Sequence, residues 1–159
     1  IIQNKLHFAA TGMTAAELIQ SRAKAELPNM GLTSWQKNEV QKTDVTIAKN
    51  YLSEHEIDEL NRIVVMWLDY AEDQALRRKQ IFMKDWETRL NKFLTFNERR
   101  ILDHAGGISK DDAETHAKQE YDRFAARRRE YKEKLGEAES IKMLEETAKR
   151  IEGDKEVKK

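Results

Sequence analysis

The sequence predicts an all-α fold, a helical bundle of six or seven helices that ends in a long C-terminal helix. Three observations predict it. One Pro and six Gly stand among many Ala, Leu, Glu, Lys and Arg residues, a composition that favours helix. Apolar residues recur at three- and four-residue spacing, and no stretch shows the convincing period of two that a half-buried strand needs. Three Ser/Thr-x-x-Glu boxes, beginning at Thr14, Ser53 and Thr95, read as helix starts. Residues 1–108 are expected to form a helical core domain and 109–159 the long helix.

The elements follow in order. A short helix is predicted over residues 2–10, ending near Gly12, which tolerates the left-handed conformation after a helix. Thr14 and Glu17 cap a second helix that runs to about Glu26. Residues 27–43, "LPNMGLTSWQKNEVQKT", are the longest irregular segment, punctuated by Pro28, Asn29 and Gly31. A loop of that length is often functional or packed by its own side chains, and Met30, Leu32 and Trp35 suggest packing. A short helix is expected near Asp44–Leu52.

Ser53 and Glu56 open the central helix, residues 53–79. Its stripe is Ile57, Leu60, Val64, Trp67, Leu68 and Ala71, and Ile63 and Val65 widen it toward burial on more than one side. Ile81–Met83 reads as an apolar turn. Another helix carries Trp86, Leu90, Phe93 and Leu94. The Thr95 box predicts a further helix ending at Gly106-Gly107. Ser109 caps the last one, and the helix dipole favours Asp111, Asp112 and Glu114 in its first turn.

In that last helix Ala113, Ala117, Tyr121, Phe124, Tyr131, Leu135 and Ala138 keep a 3/4 pattern. Ile141, Leu144, Ala148 and Ile151 resume it after a stammer. About 40 residues at 1.5 Å each span roughly 60 Å. The first half is expected to dock on the core, and the rest to extend or pack on another chain. Gly136 is the expected break, and the tail "EGDKEVKK" is expected to fray.

A chain of 159 residues suits one domain with an appendage. Lys+Arg and Asp+Glu both number 29, and this balance argues against whole-surface DNA binding. The absence of cysteine excludes disulfides, thiolate zinc sites and cysteine nucleophiles. No apolar run approaches the roughly 20 residues of a membrane span, and no signal peptide is visible, so a cytoplasmic location is expected. The chain opens Ile1-Ile2 with Leu6 and Phe8 close behind, which reads as a cut from a longer protein with an N-terminal domain.

His7, between Leu6 and Phe8, is the one histidine in an apolar setting. It reads as a part-buried residue with one hydrogen bond before it reads as a general base. His55 is expected to be exposed, and His104 and His116 flank a Gly-Gly turn. No HExxH or paired histidines at metal-binding spacing occur. Asp69 with Glu72 or Asp73 shares a helical face, an arrangement suited to Mg2+ or to acid–base work. Without a second matched cluster, a solvated or salt-bridged face is the simpler reading, with Arg77 and Arg78 at pairing distance. GxxxxGK[ST], GxGxxG, GxSxG and the Fic signature HPFxxGNxR are all absent. The basic run "AARRREYKEK" is interleaved with acidic residues, as exposed helix faces are. Tyr121, Phe124 and Tyr131 are spaced for a packing seam. No metal or cofactor is expected.

The order of blocks is more specific than any single motif. "NKLHFAATGMTAAELIQSRA", "PNMGLTSW", "DVTIAKNYLSEHEIDELNRIV", "MWLDYAEDQAL", "MKDWETRLNKFL" and "ILDHAGGIS" follow one another. In this the chain resembles the C-terminal half of the RhuM family of bacterial virulence-associated proteins, over roughly Ile2 to Phe124. The resemblance implies a link to pathogenicity islands and mobile elements. It also implies a preceding N-terminal half, phage-like and nucleic-acid-associated or regulatory, which in related architectures is joined to Fic-type domains. It implies no established reaction and no defined catalytic residues.

Two classes of function stay open. The first is an interaction or oligomerisation domain, a homodimer held through the long helix, with any nucleic-acid contact made by the N-terminal domain and no membrane partner. The second is an effector enzyme acting on nucleic acid or nucleotides. Its candidate polar site comprises Asn4, His7, Arg22, Asn29, Thr33, Lys49, Asn50, Asp69 and Glu72. The two classes part on whether these side chains converge on an open cleft or bond to backbone within the bundle.

Overall fold

The computed structural model describes residues 2–77 and 82–156, and the side chains of these except at 83 and 148–156. Arg78, Lys79 and Ile81, expected at the end of the central helix and in the apolar turn, lie outside the described residues, as do Val157–Lys159 of the tail. The described residues are all-helical. They hold five α-helices, three short 3-10 turns and no strand. The helices are α1 (Ile2–Thr11), α2 (Ala15–Arg22), α3 (Glu54–Leu76), α4 (Met83–Phe96) and α5 (Lys110–Glu156), and the 3-10 turns are Pro28–Gly31, Asp44–Thr46 and Ala48–Tyr51. The chain falls into two compact units, Ile1–Tyr121 and Asp122–Lys159.

In the first unit, α1 packs on α2, α3 and α4. Ala9, Ile63, Trp67, Leu90 and Leu94 form a core where α1, α3 and α4 meet. Trp67 organises it, stacked on Tyr70 (5.5 Å between centroids) and edge-on to Trp86 (5.6 Å). Such aromatic pairs contribute about 0.5–1.5 kcal/mol beyond burial. The long irregular segment packs as expected, with Met30 fully buried and Leu32 nearly so. Asn29 and Met30 are left-handed (φ 50° and 61°). Gly31 follows at φ 81°, and a Cβ there would overlap the Arg22 carbonyl.

The capping boxes at Thr14/Glu17 and Ser53/Glu56 form with both reciprocal bonds. The Ser53 box is joined by a longer-range contact. Arg22, in the last turn of α2, donates twice to the Glu56 carboxylate, at 2.6 Å each, and once to the Tyr51 carbonyl at 2.7 Å. One guanidinium therefore ties the end of α2 to the start of α3 and to the segment between them.

Several sequence expectations are corrected. The helix expected from Thr95 to Gly106 is absent, and residues 99–109 are irregular. Thr95 lies instead in the last turn of α4, its hydroxyl donating to the Asn91 carbonyl. Glu98 takes φ 55°, the Glu98 amide donates to Thr95 O and the Arg99 amide to Leu94 O. These are the paired bonds of a Schellman stop, so the Ser/Thr-x-x-Glu spacing marked an end rather than a start. The second helix stops at Arg22 rather than Glu26, and Asp44–Leu52 forms two 3-10 turns rather than one helix. On α3 only one face is buried, through Leu60, Ile63, Trp67 and Gln74, while Val65 and Leu68 are exposed. The last helix does not break at Gly136, and it continues through Glu152–Glu156 of the tail expected to fray.

Two predictions follow from this architecture. Glu98 is exposed and occupies a left-handed position that suits glycine. Glu98→Gly is expected to raise the stability measured by thermal unfolding by about 1 kcal/mol. The Arg22 guanidinium holds the Glu56 carboxyl down at about 2, so its contribution is present above about pH 4.5 and is lost as pH falls toward 2. Urea unfolding should show Glu56→Gln destabilised by about 2 kcal/mol at pH 7, with the gap to wild type closing in acid.

Candidate functional site

Within the first unit a cleft of about 610 Å³ is bounded by α1, α2, the Thr46–Lys49 segment and the start of α5. Of the nine candidate residues, three line it: Asn4, His7 and Lys49. Asn4 and His7 come from one face of α1, and Lys49 from the 3-10 turn before α3. Lys49 is exposed, whereas His7 is buried. His7 Nδ1 has no hydrogen-bond partner. Burial lowers the His7 pKa from its ordinary value, because the charged ring is poorly solvated there.

The other six candidates do not line this cleft. Arg22 is committed to Glu56 and the Tyr51 carbonyl. Thr33 Oγ1 donates to the carbonyls of Asn50 (3.0 Å) and Leu52 (2.6 Å), and Asn50 Nδ2 donates to the Asp44 carbonyl at 2.9 Å. These two pin the long segment against the residues that lead into α3. Asn29 supplies a left-handed turn residue. Asp69 and Glu72 are exposed on α3, and their neighbour Asp73 pairs with Arg77 at 3.0 Å. Among the described residues, no group of three or more His, Asp or Glu side chains is placed to hold a metal ion.

Of the remaining histidines, two meet backbone groups outside the cleft. His104 Nδ1 accepts from the Gly106 amide at 3.0 Å, and His116 Nε2 lies 3.1 Å from the Ala23 carbonyl. His55 is exposed, as expected.

Sequence reasoning missed that Ser109, Lys110 and Glu114 also line the cleft. Ser109 was legible as a helix cap, but not as part of the cleft lining. The link is tertiary. Glu17 caps α2 through the Thr14 amide with one carboxylate oxygen and accepts from the Gly107 amide with the other, at 2.8 Å each. These bonds, with Gly107 first, lower the Glu17 pKa. Further along α5, Glu120 is buried and accepts from the Ala25 amide at 2.7 Å. Two carboxylates thus tie α2 to the residues just before α5, and α5 to the residues just after α2, ninety or more positions away in sequence.

No described helix is long and apolar enough to cross a membrane. The chain has no match among curated proteins or among solved structures. A family model does match, over residues 1–132. The match takes in most of the chain, rather than a C-terminal domain alone, and within α5 it runs past Phe124 to residue 132. On this evidence the chain belongs to the virulence protein RhuM family.

Proposed function

We propose that this chain is a helical self-association module, in which residues 1–108 form the core and a second copy pairs along the helix that follows. The observation that carries the reading is a row of apolar side chains left in solvent on α5. Tyr131, Leu135, Ile141 and Leu144 are 65%, 46%, 58% and 70% exposed. With Phe124 and Ala138 they keep the spacing of a coiled-coil seam, interrupted by one phase slip after Ala138. Arg128 fills the remaining inward position, its guanidinium 5.4 Å from the Phe124 ring.

Charge favours an antiparallel pairing. Residues 122–134 hold six cations and three carboxylates, and residues 135–147 hold one cation and four carboxylates. An antiparallel partner sets the basic half of each helix against the acidic half of the other, whereas a parallel one aligns like with like. Centring the pair on Gly136 places Tyr131 opposite Ile141 and Arg128 opposite Leu144. A cyclic two-fold pair is the simplest closed assembly of one repeated patch.

Light scattering across a concentration series should show a dimer, and Leu135→Asp with Ile141→Asp should return it to monomer. A wild-type chain that stays monomeric at high micromolar concentration overturns the reading. Orientation is open to cysteine trapping, because the chain has no cysteine of its own. Arg128→Cys and Leu144→Cys chains should cross-link when mixed and neither should do so alone. Efficient self-cross-linking of Leu144→Cys would indicate a parallel pair.

A further inference from the structure

We propose that the cleft at the start of α5 binds a small molecule with an oxyanion head and an apolar body. Three features of the cleft select that chemistry, and none depends on self-association. The first is His7, a residue of the cleft lining that is 4% exposed and whose buried Nδ1 has no hydrogen-bond partner. A buried polar atom left unpaired is costly, and a ligand atom is the partner the fold itself does not supply. The ring is neutral near pH 7, and in the tautomer protonated at Nδ1 it offers a donor.

The second feature is the first turn of α5, a helix of 47 residues. Ser109 Oγ accepts from the Asp112 amide at 3.1 Å and donates to its carboxylate at 2.7 Å, and the Ala113 amide donates to the Ser109 carbonyl. The Lys110 and Asp111 amides have no intrahelical acceptor. They sit at the positive end of the helix dipole, where an anion is favoured.

The third feature is the mix of charge and apolar wall. Lys49 and Lys110 flank the cleft, and the carboxylate that also lines it, Glu114, is already engaged by Lys110 at 3.5 Å and Lys118 at 3.2 Å. Ala15, Ala16, Ile19 and Ala48 supply the apolar side. A volume near 610 Å³ falls in the range of small-molecule sites and leaves room for a body beside a bare oxyanion.

The test is a 1H–15N NMR titration of the whole chain at fixed ionic strength with inorganic phosphate, hexyl phosphate and hexanoate. The expected result is saturable shifts of the Lys110 and Asp111 amides, with hexyl phosphate saturating at a concentration at least tenfold below inorganic phosphate. Lys49→Met, a change at an exposed side chain, should weaken that binding at least fivefold, and His7→Phe should weaken it as well. Tighter saturation by hexanoate than by hexyl phosphate supports the same site with a carboxylate as its head. Shifts that rise without saturation for all three probes overturn the proposal. So does saturable binding that Lys49→Met leaves unchanged.

Discussion

The first unit depends on one guanidinium. Arg22 bonds to both oxygens of Glu56 and to the Tyr51 carbonyl, and Glu56 also caps α3 through Ser53. Bidentate, charge-assisted bonds of this kind are short and directional. They are worth more here than on an open surface, because both side chains are largely shielded. Between Arg22 and Glu56 the chain makes its longest irregular excursion. Without a fixed closure, ordering that segment would be costly in backbone entropy, and its short 3-10 turns return little. The pair acts as the clasp of a loop, and the residues inside the loop are arranged around it.

The interior of the loop shows how. Gly31 lies so close to the Arg22 carbonyl that no other residue fits, and beside it the Lys24 amide donates to the carbonyl of the buried Met30. Tyr51, whose carbonyl Arg22 holds, donates its hydroxyl to the Val45 carbonyl at 2.8 Å. The buried Asp44 accepts from the Gln41 amide at 2.8 Å. Each of these polar groups is buried or part-buried and each has a partner, as interiors require. His7 Nδ1 departs from that pattern, as does Asn91 Oδ1, and of these two residues His7 lines the cleft.

Much of this was legible in the sequence where local chemistry decides it. The Thr14 and Ser53 boxes, the stop at Gly12 and the packing role of Met30 and Leu32 all follow from short-range rules, and all are present. The Thr95 box failed because the same four-residue spacing also fits a helix end, and Leu94, buried in the α1/α3/α4 core, holds α4 in place up to that end. The expected break at Gly136 failed because glycine costs a helix only about 1 kcal/mol, too little to interrupt a run rich in Glu, Lys and Arg. At the candidate site, residue type found Asn4, His7 and Lys49. It could not separate them from Arg22, Thr33 and Asn50, whose polar groups hold the loop. That division is made by contacts between residues far apart in sequence, as are the contacts of Glu17 and Glu120 with their distant amides.

The second unit poses a different physical question, namely what stabilises a helix whose described side chains from Arg129 to Thr147 are all exposed. Exposed ion pairs such as Glu130–Lys134 add only a few tenths of a kcal/mol each. Intrinsic propensity is small too, and helices in proteins draw most of their stability from packing an amphipathic face. Large apolar side chains gain by leaving water at about 25 cal/mol per Å². Tyr131, Leu135, Ile141 and Leu144 forgo that gain while the chain is alone. A sequence that only needed a solvated rod had no use for them at seam positions. Their spacing, together with the reversal of charge along the helix, supports the proposed pairing with a second copy.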